Sequence, residues 1–216
     1  NPSRPFPATI ASLVGLKSSL KIASSTNLNL SDSLFCIAAS LWGISNMPFI
    51  IQTPIGFPDM NIPSENPITV EGVALGEKLF NDPILSGDNT QACINCHQQG
   101  TTFSDPNQFS TGIDGLQGSR NASALINLGW NTSFNWDGSA TSLEEQAFEP
   151  VINPLEMHNT WKNVETALNA HNEYPLLFKN AFNIDYIDSN HVVMALAQFE
   201  RTLISVDSRF DRYLRG

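Results

Sequence analysis

Apolar residues recur at helical spacing in several stretches of the 216-residue chain, and nowhere do they alternate with polar ones as in a strand. Over 70–80, Val73, Leu75, Leu79 and Phe80 give a helix one core-facing side, and Asn81-Asp82-Pro83 stops it. Thr141-Ser142-Leu143-Glu144-Glu145 has the look of a capping box opening a short helix. Glu149-Pro150-Val151-Ile152-Asn153-Pro154 is expected to break that helix. Three helices are predicted after it, over 160–172, 174–182 and 189–205. In the last, Val192, Val193, Leu196, Phe199 and Leu203 form an apolar stripe. A short helix is also expected over 120–128. With no period-2 segment and no internal repeat, the pattern predicts an all-α domain.

Two regions lack this periodicity. Between 98 and 119, Gly and Pro are dense and no apolar period exists. Long irregular loops inside a compact domain are usually functional. Over 48–69, Pro48, Pro54, Pro58, Pro63 and Pro67 forbid a helix and predict an extended arm lying over the domain. Residues 1–47 differ again, being rich in Ser, Asn and Leu. Their apolar run from Ser33 to Ile44 has the length of a leader's hydrophobic region and is too short for a membrane-spanning helix. The segment reads as a leader-like or disordered extension, with no stable membrane span expected.

Charge sharpens the division. The first 47 residues carry Arg4, Lys17 and Lys21 against Asp32, a net of +2, so the remainder carries −12 of the total −10. An acidic body argues against nucleic acid and for soluble or basic partners.

The chemistry centres on Cys93-Ile94-Asn95-Cys96-His97. This is C-x-x-C-H, the attachment pattern of a c-type haem. Two thiols one helical turn apart reach both vinyl groups of one porphyrin, and His97 follows to put an imidazole nitrogen on the iron. A zinc site would need two more ligands at suitable spacing, and a thioredoxin-like motif would need a βαβ pattern; neither is present. The all-α pattern becomes a cytochrome c-like helical haem domain over 70–216. Cys36 is left over, either inert or lost with a processed segment. A second ligand on the iron would make an electron carrier, and an open site would allow peroxide or oxygen to bind. Met194 lies on an apolar stripe and reads as core, while His171 and His191 read as solvated. Met157 and His158, beside Glu156 in a Pro-bounded loop, leave the sixth ligand open.

Four stretches in order carry a family resemblance: NPITVEGVALGEKLFNDPILSGDNTQACINCH (66–97), QGSRNASALIN (117–127), FNWDGSATSLEEQAFEPVINPLEM (134–157) and VMALAQFERTLISVDSRFDRYLRG (193–216). From about Ile62 onward the chain resembles the N-terminal, peroxidatic half of the bacterial di-haem cytochrome c peroxidases, including their MauG-like branch. The resemblance implies thioether attachment at Cys93 and Cys96, with His97 as proximal ligand of the haem iron. It implies that Gln146 and Glu156 are distal-pocket residues. There a carboxylate can move a proton between the two peroxide oxygens, and an amide can orient them. It makes Trp136 a relay between two haems, Pro150 a wall of the distal pocket, and Asn121 a contributor to a calcium site at the inter-domain junction. It implies hydrogen peroxide as substrate, a cytochrome c or cupredoxin as electron donor, and a periplasmic or otherwise exported location.

Three departures qualify the expectation. The family's blocking His has no counterpart: Ile113 or Asp114 occupies its place, and no His occurs between Gln98 and Met157. That predicts an open or water-bound haem. Ser139 stands in Trp136-Asp137-Gly138-Ser139-Ala140 where the family has Arg, so that charge is missing. The family's second haem domain is absent from this chain, which is then either a fragment or the partner of a separate chain or dimer mate. The expectations are a haem peroxidase domain, with MauG-like oxidation of a protein substrate as a variant, or alternatively a mono-haem electron-transfer cytochrome.

Overall fold

Helix α1, Val70–Asn81, begins where Thr69 turns its hydroxyl back to accept from the Gly72 N–H. It ends where Asp82 leaves the helical region and accepts from the Ile84 N–H, opening a one-turn 3-10 helix over Pro83–Leu85. The Asp82 carboxylate also accepts from the buried Tyr174 hydroxyl at 2.7 Å, tying this corner to a later helix. In the computed structural model, residues 46–216 are described; the expectations for the first 45 residues, the leader-like run among them, lie outside the described residues.

The remaining helices are α2 (Cys93–Cys96), α3 (Leu143–Ile152), α4 (Trp161–Ala170), α5 (Tyr174–Phe182), α6 (Ser189–Glu200) and α7 (Arg209–Arg215). Among the described residues there is no strand, only isolated bridges, and no helix is long and apolar enough to cross a membrane. The all-α reading of the hydrophobic pattern therefore holds.

The core is built on the crossing of α1 and α6. A Cβ at Gly76 would stand 2.0 Å from the Ala195 carbonyl oxygen, and one at Gly72 would overlap the Gln198 side chain. Only glycine lets the two backbones approach this closely. Around the crossing, Leu79, Phe80, Val192, Val193 and Phe199 are buried, joined by Val164 and Leu168 from α4 and Tyr174 and Phe178 from α5. Each such side chain contributes about 1.5–3 kcal/mol relative to an exposed one.

Residues 48–69 contain no helix, and their two ends come together: the Phe49 N–H donates to Ile68 O and the Val70 N–H to Met47 O. Their C-terminal end is fixed by a polar chain. Asn66 donates to Glu144 Oε1 (2.6 Å), the Gln198 amide donates to Asn66 Oδ1 (2.8 Å), and the Thr69 N–H donates to Gln198 Oε1 (3.0 Å). Arg201 closes the chain with a two-pronged pair to Glu144 at 2.7 and 2.9 Å.

Helix α3 ends at Ile152, within the 149–154 stretch expected to break it, although Pro150 itself stays inside the helix. Proline removes one donor near the end of the helix, and the last turn still closes through the Asn153 N–H to Glu149 O. Two predicted boundaries are corrected. Residues 120–128 form no α-helix, only a 3-10 turn at Leu128–Trp130. Their backbone is engaged elsewhere, the Leu125 N–H on Phe103 O and the Asn127 N–H on Leu203 O. The last long helix stops at Glu200 rather than 205. There Thr202 turns its hydroxyl onto Phe199 O, and the Asn127 side chain captures both the N–H and the carbonyl of Ser205.

Candidate haem site

A concave, largely apolar pocket lies beside α2. Cys93, Cys96 and His97 form one side of it, and Gln146, Pro150 and Glu156 line it from α3 and the turn beyond. Phe80, Leu85, Leu125, Val151, Met157 and Leu196 supply apolar walls. Six of the eight residues singled out in the sequence therefore meet in one space, although 63 positions separate Cys93 from Glu156.

Helix α2 is a single turn, so both thiols project from adjacent levels of one face, and His97 is its C-terminal cap. Both cysteines are free thiols, not joined to each other. Burial, and then the nearby Glu200 carboxylate, push the Cys93 thiol up to about 12. Burial also raises Cys96, on which the Gln91 amide donates at 3.2 Å.

The His97 ring is oriented from behind. Its Nδ1 faces two carbonyl oxygens, Phe103 at 3.0 Å and Ser123 at 3.1 Å. Carbonyls only accept, so Nδ1 carries the proton and the Nε2 lone pair is left for a metal. Burial lowers the basicity of His97, which keeps the imidazole neutral as ligation requires. Here the irregular segments after the motif acquire a purpose. Residue 103 comes from the 98–119 loop and residue 123 from the stretch expected to be helical, and both spend carbonyls on His97. Thr102 and Phe103 adopt left-handed backbone angles to make this approach.

Glu156 is half-buried, held by the Asn153 amide at 2.8 Å, and burial raises its carboxyl above the ordinary range. Its loop is strapped down, with Glu156 O accepting from Ile113 N–H and Met157 O from Gly87 N–H. Met157 is 5% exposed in the cavity wall, whereas the neighbouring His158 points outward and pairs with Asp114. The predicted solvation of His171 and His191 is half right. Both are half-buried, and His191 hydrogen-bonds Asp188 at 2.6 Å.

The other two residues stand apart. Trp136 is 64% exposed outside the cavity, and its indole N–H donates to Asn121 O at 2.7 Å. The Asn121 amide donates to the carbonyls of Asp105 and Asn107. Among the described residues, no group of three or more His, Cys, Asp or Glu is arranged to hold a metal ion. Asp137, beside Ser139, keeps an ionic partner all the same. Ser139 and the Arg120 guanidinium, at 2.9 Å, hold its carboxyl down to about 2.

One functional candidate escaped the sequence. Glu200 is 6% exposed, lines the cavity, and its Oε2 has no hydrogen-bond partner. Its neighbours in sequence gave no hint, because the helical stripe placed it beside apolar residues as an ordinary helix-end acid.

The family model for di-haem cytochrome c peroxidase matches residues 70–216. The chain belongs to that family. It is 41% identical to the methylamine utilization protein MauG of Methylorubrum extorquens over 155 residues, 71% of this chain and 44% of the relative. It is 36% identical to the cytochrome c peroxidase Ccp of Escherichia coli K12, over 74% of this chain and 34% of that protein. Among solved structures it is similar to a MauG-like protein associated with microbial copper homeostasis. The TM-score is 0.72 at 31% identity, covering 78% of this chain and 50% of the other. The chain thus spans less than half the length of these two curated relatives of the di-haem peroxidase family.

The residues of the cavity fit the family's cofactor. Two thiols and a neutral imidazole with a free Nε2 sit on one side of an apolar space, and the orphaned Glu200 oxygen marks that space as one meant to be filled.

Proposed function

We propose that the chain is the peroxidatic haem domain of a di-haem peroxidase. Cys93 and Cys96 would hold a haem c by thioether bonds, and His97 Nε2 would ligate the iron. The haem, when bound, supplies the electron exchange that reduces hydrogen peroxide to water. The chain's own residues do the rest. Pro150, Val151 and Met157 give the pocket an apolar wall. The Gln146 amide orients the peroxide by hydrogen bonds. Glu156 moves a proton from the near oxygen to the far one, and its raised pKa suits a group that must both accept and release a proton. Electrons would reach the exposed Trp136 from a second haem domain supplied by a cytochrome c or cupredoxin, in an exported, periplasmic protein. Oxidation of a protein substrate in the MauG manner is the variant of this reading, and calcium beside Asn121 belongs to the same junction.

The single observation that carries the proposal is the convergence of Cys93, Cys96, His97, Gln146 and Glu156 on one cavity. A second reading, a mono-haem electron carrier with a filled sixth position, has one observation in its favour, the Met157 thioether in the same wall. The optical spectrum of the ferric haem-loaded chain separates the two. A high-spin spectrum that responds to stoichiometric peroxide, with the response lost in Glu156→Gln, is the expected result. A low-spin spectrum indifferent to peroxide would leave the electron carrier.

A further inference from the structure

The cavity contains a second buried carboxyl that peroxide cleavage does not use. Glu200 ends α6, points its carboxyl into the wall shared with Cys93 and Leu196, and leaves Oε2 without a partner. A buried carboxylate with an open hydrogen-bonding site is costly, and a protein retains one where its charge state has work to do.

We propose that Glu200 is the proton-holding group of the haem cavity, taking up a proton when the haem is reduced and releasing it when the haem is oxidised. The inference rests on the reading of this cavity as a haem site. The balance is simple. Glu200 takes one proton from bulk water as the haem gains one electron from an external one-electron donor. An O–H bond forms on the carboxylate, and it breaks again on oxidation.

The surroundings favour this role over a static one. From its own helix Glu200 faces Arg201, but that guanidinium is committed to Glu144 by both of its terminal nitrogens. From α3 it faces the Glu144 carboxylate, whose charge opposes ionisation. From α2 it faces the Cys93 thiol, which thioether formation would make uncharged. The other titratable groups of the cavity are Cys96, His97 and Glu156. Burial above all, and Glu144 after it, raise the Glu200 carboxyl to about 8 against the pull of Arg201. Its protonation therefore changes in the neutral range. An extra positive charge on the iron, held in the same low-dielectric space, favours the ionised form. Electron and proton then stabilise each other, and the linkage is reciprocal.

The test is the midpoint potential of the haem-loaded chain against pH, from 5 to 9, for wild type, Glu200→Gln and Glu156→Gln. The expected wild-type potential falls with rising pH, by at most about 59 mV per unit, the one-electron equivalent of a tenfold change. Glu200→Gln flattens that fall, matching wild type at pH 5 and lying above it at pH 9, while Glu156→Gln keeps it. A wild-type potential independent of pH overturns the proposal without any variant. So does a slope that survives Glu200→Gln, or one that vanishes only in Glu156→Gln. Haem retained on the denatured chain is measured first: its absence defeats the haem reading itself, whereas a loaded chain with a flat potential defeats only the role of Glu200.

Discussion

Glu200 and Arg201 are adjacent, both buried, and in opposite circumstances. Arg201 turns toward the arm, where Glu144, Asn66, Gln198 and Thr69 satisfy one another in an unbroken chain of hydrogen bonds. Glu200 turns toward the cavity, and one of its oxygens bonds to nothing. The same low dielectric acts on both. On the first side it strengthens a complete network; on the second it holds a carboxyl close to neutrality. The lesson is that burial alone does not decide whether a charge is structural or functional. Completeness of its partners does.

The sharpest way to break this contrast is on the satisfied side. Arg201→Met leaves the half-buried Glu144 carboxylate with only the Asn66 amide, and urea unfolding should show a loss near the lower end of about 3–5 kcal/mol. The double variant Arg201→Met/Glu144→Met should recover most of that loss, because an apolar pair of similar volume leaves no charge behind.

On the unsatisfied side the effect depends on pH. The Glu200 carboxyl is raised from its ordinary 4.5 to about 8, chiefly by burial. The folded chain therefore binds the proton more tightly than the unfolded one. Its contribution is fully present below pH 4.5 and is lost as pH rises through about 8. The expected slope approaches about 1.4 kcal/mol per pH unit within that window. Glu200→Gln should flatten it, so that the variant outlasts wild type at pH 9 in parallel urea titrations. A variant less stable than wild type at pH 9 would show that Glu200 has a partner after all.

The smallest effect is predicted outside both regions. Trp136→Phe removes one hydrogen bond at an exposed site and should change stability by less than about 1 kcal/mol in thermal unfolding. Under the proposed function its consequence appears in electron delivery from a partner haem instead.

Much of the fold was legible because helices announce themselves by period. The 70–80 prediction met α1 within one residue, and 174–182 met α5 at both ends. The misses fall where distant backbone competes with local propensity. The 120–128 stretch has helical composition, but Ser123 O serves His97 and Asn127 N–H serves Leu203 O, bonds that a helix would withhold. The 189–205 prediction overran because the apolar stripe continues to Leu203 although the chain turns at Arg201 to meet Asn127. At the site, C-x-x-C-H named the cofactor chemistry from five residues, while Gln146, Pro150 and Glu156 came only through the family resemblance. Glu200 was illegible either way.

What the sequence determined by itself is therefore local. It set helix-forming period, proline punctuation, and a pentapeptide whose spacing suits one porphyrin, because each depends on residues within a turn or two of one another. The tertiary structure decided what each polar group meets. The carbonyls of residues 103 and 123 fix the proton on His97 Nδ1, Glu144 neutralises Arg201, and the fold leaves Glu200 facing an apolar space. The physical reason is that hydrogen bonds and charges act over a few ångströms in space, and only the folded chain brings residues dozens of positions apart within that reach.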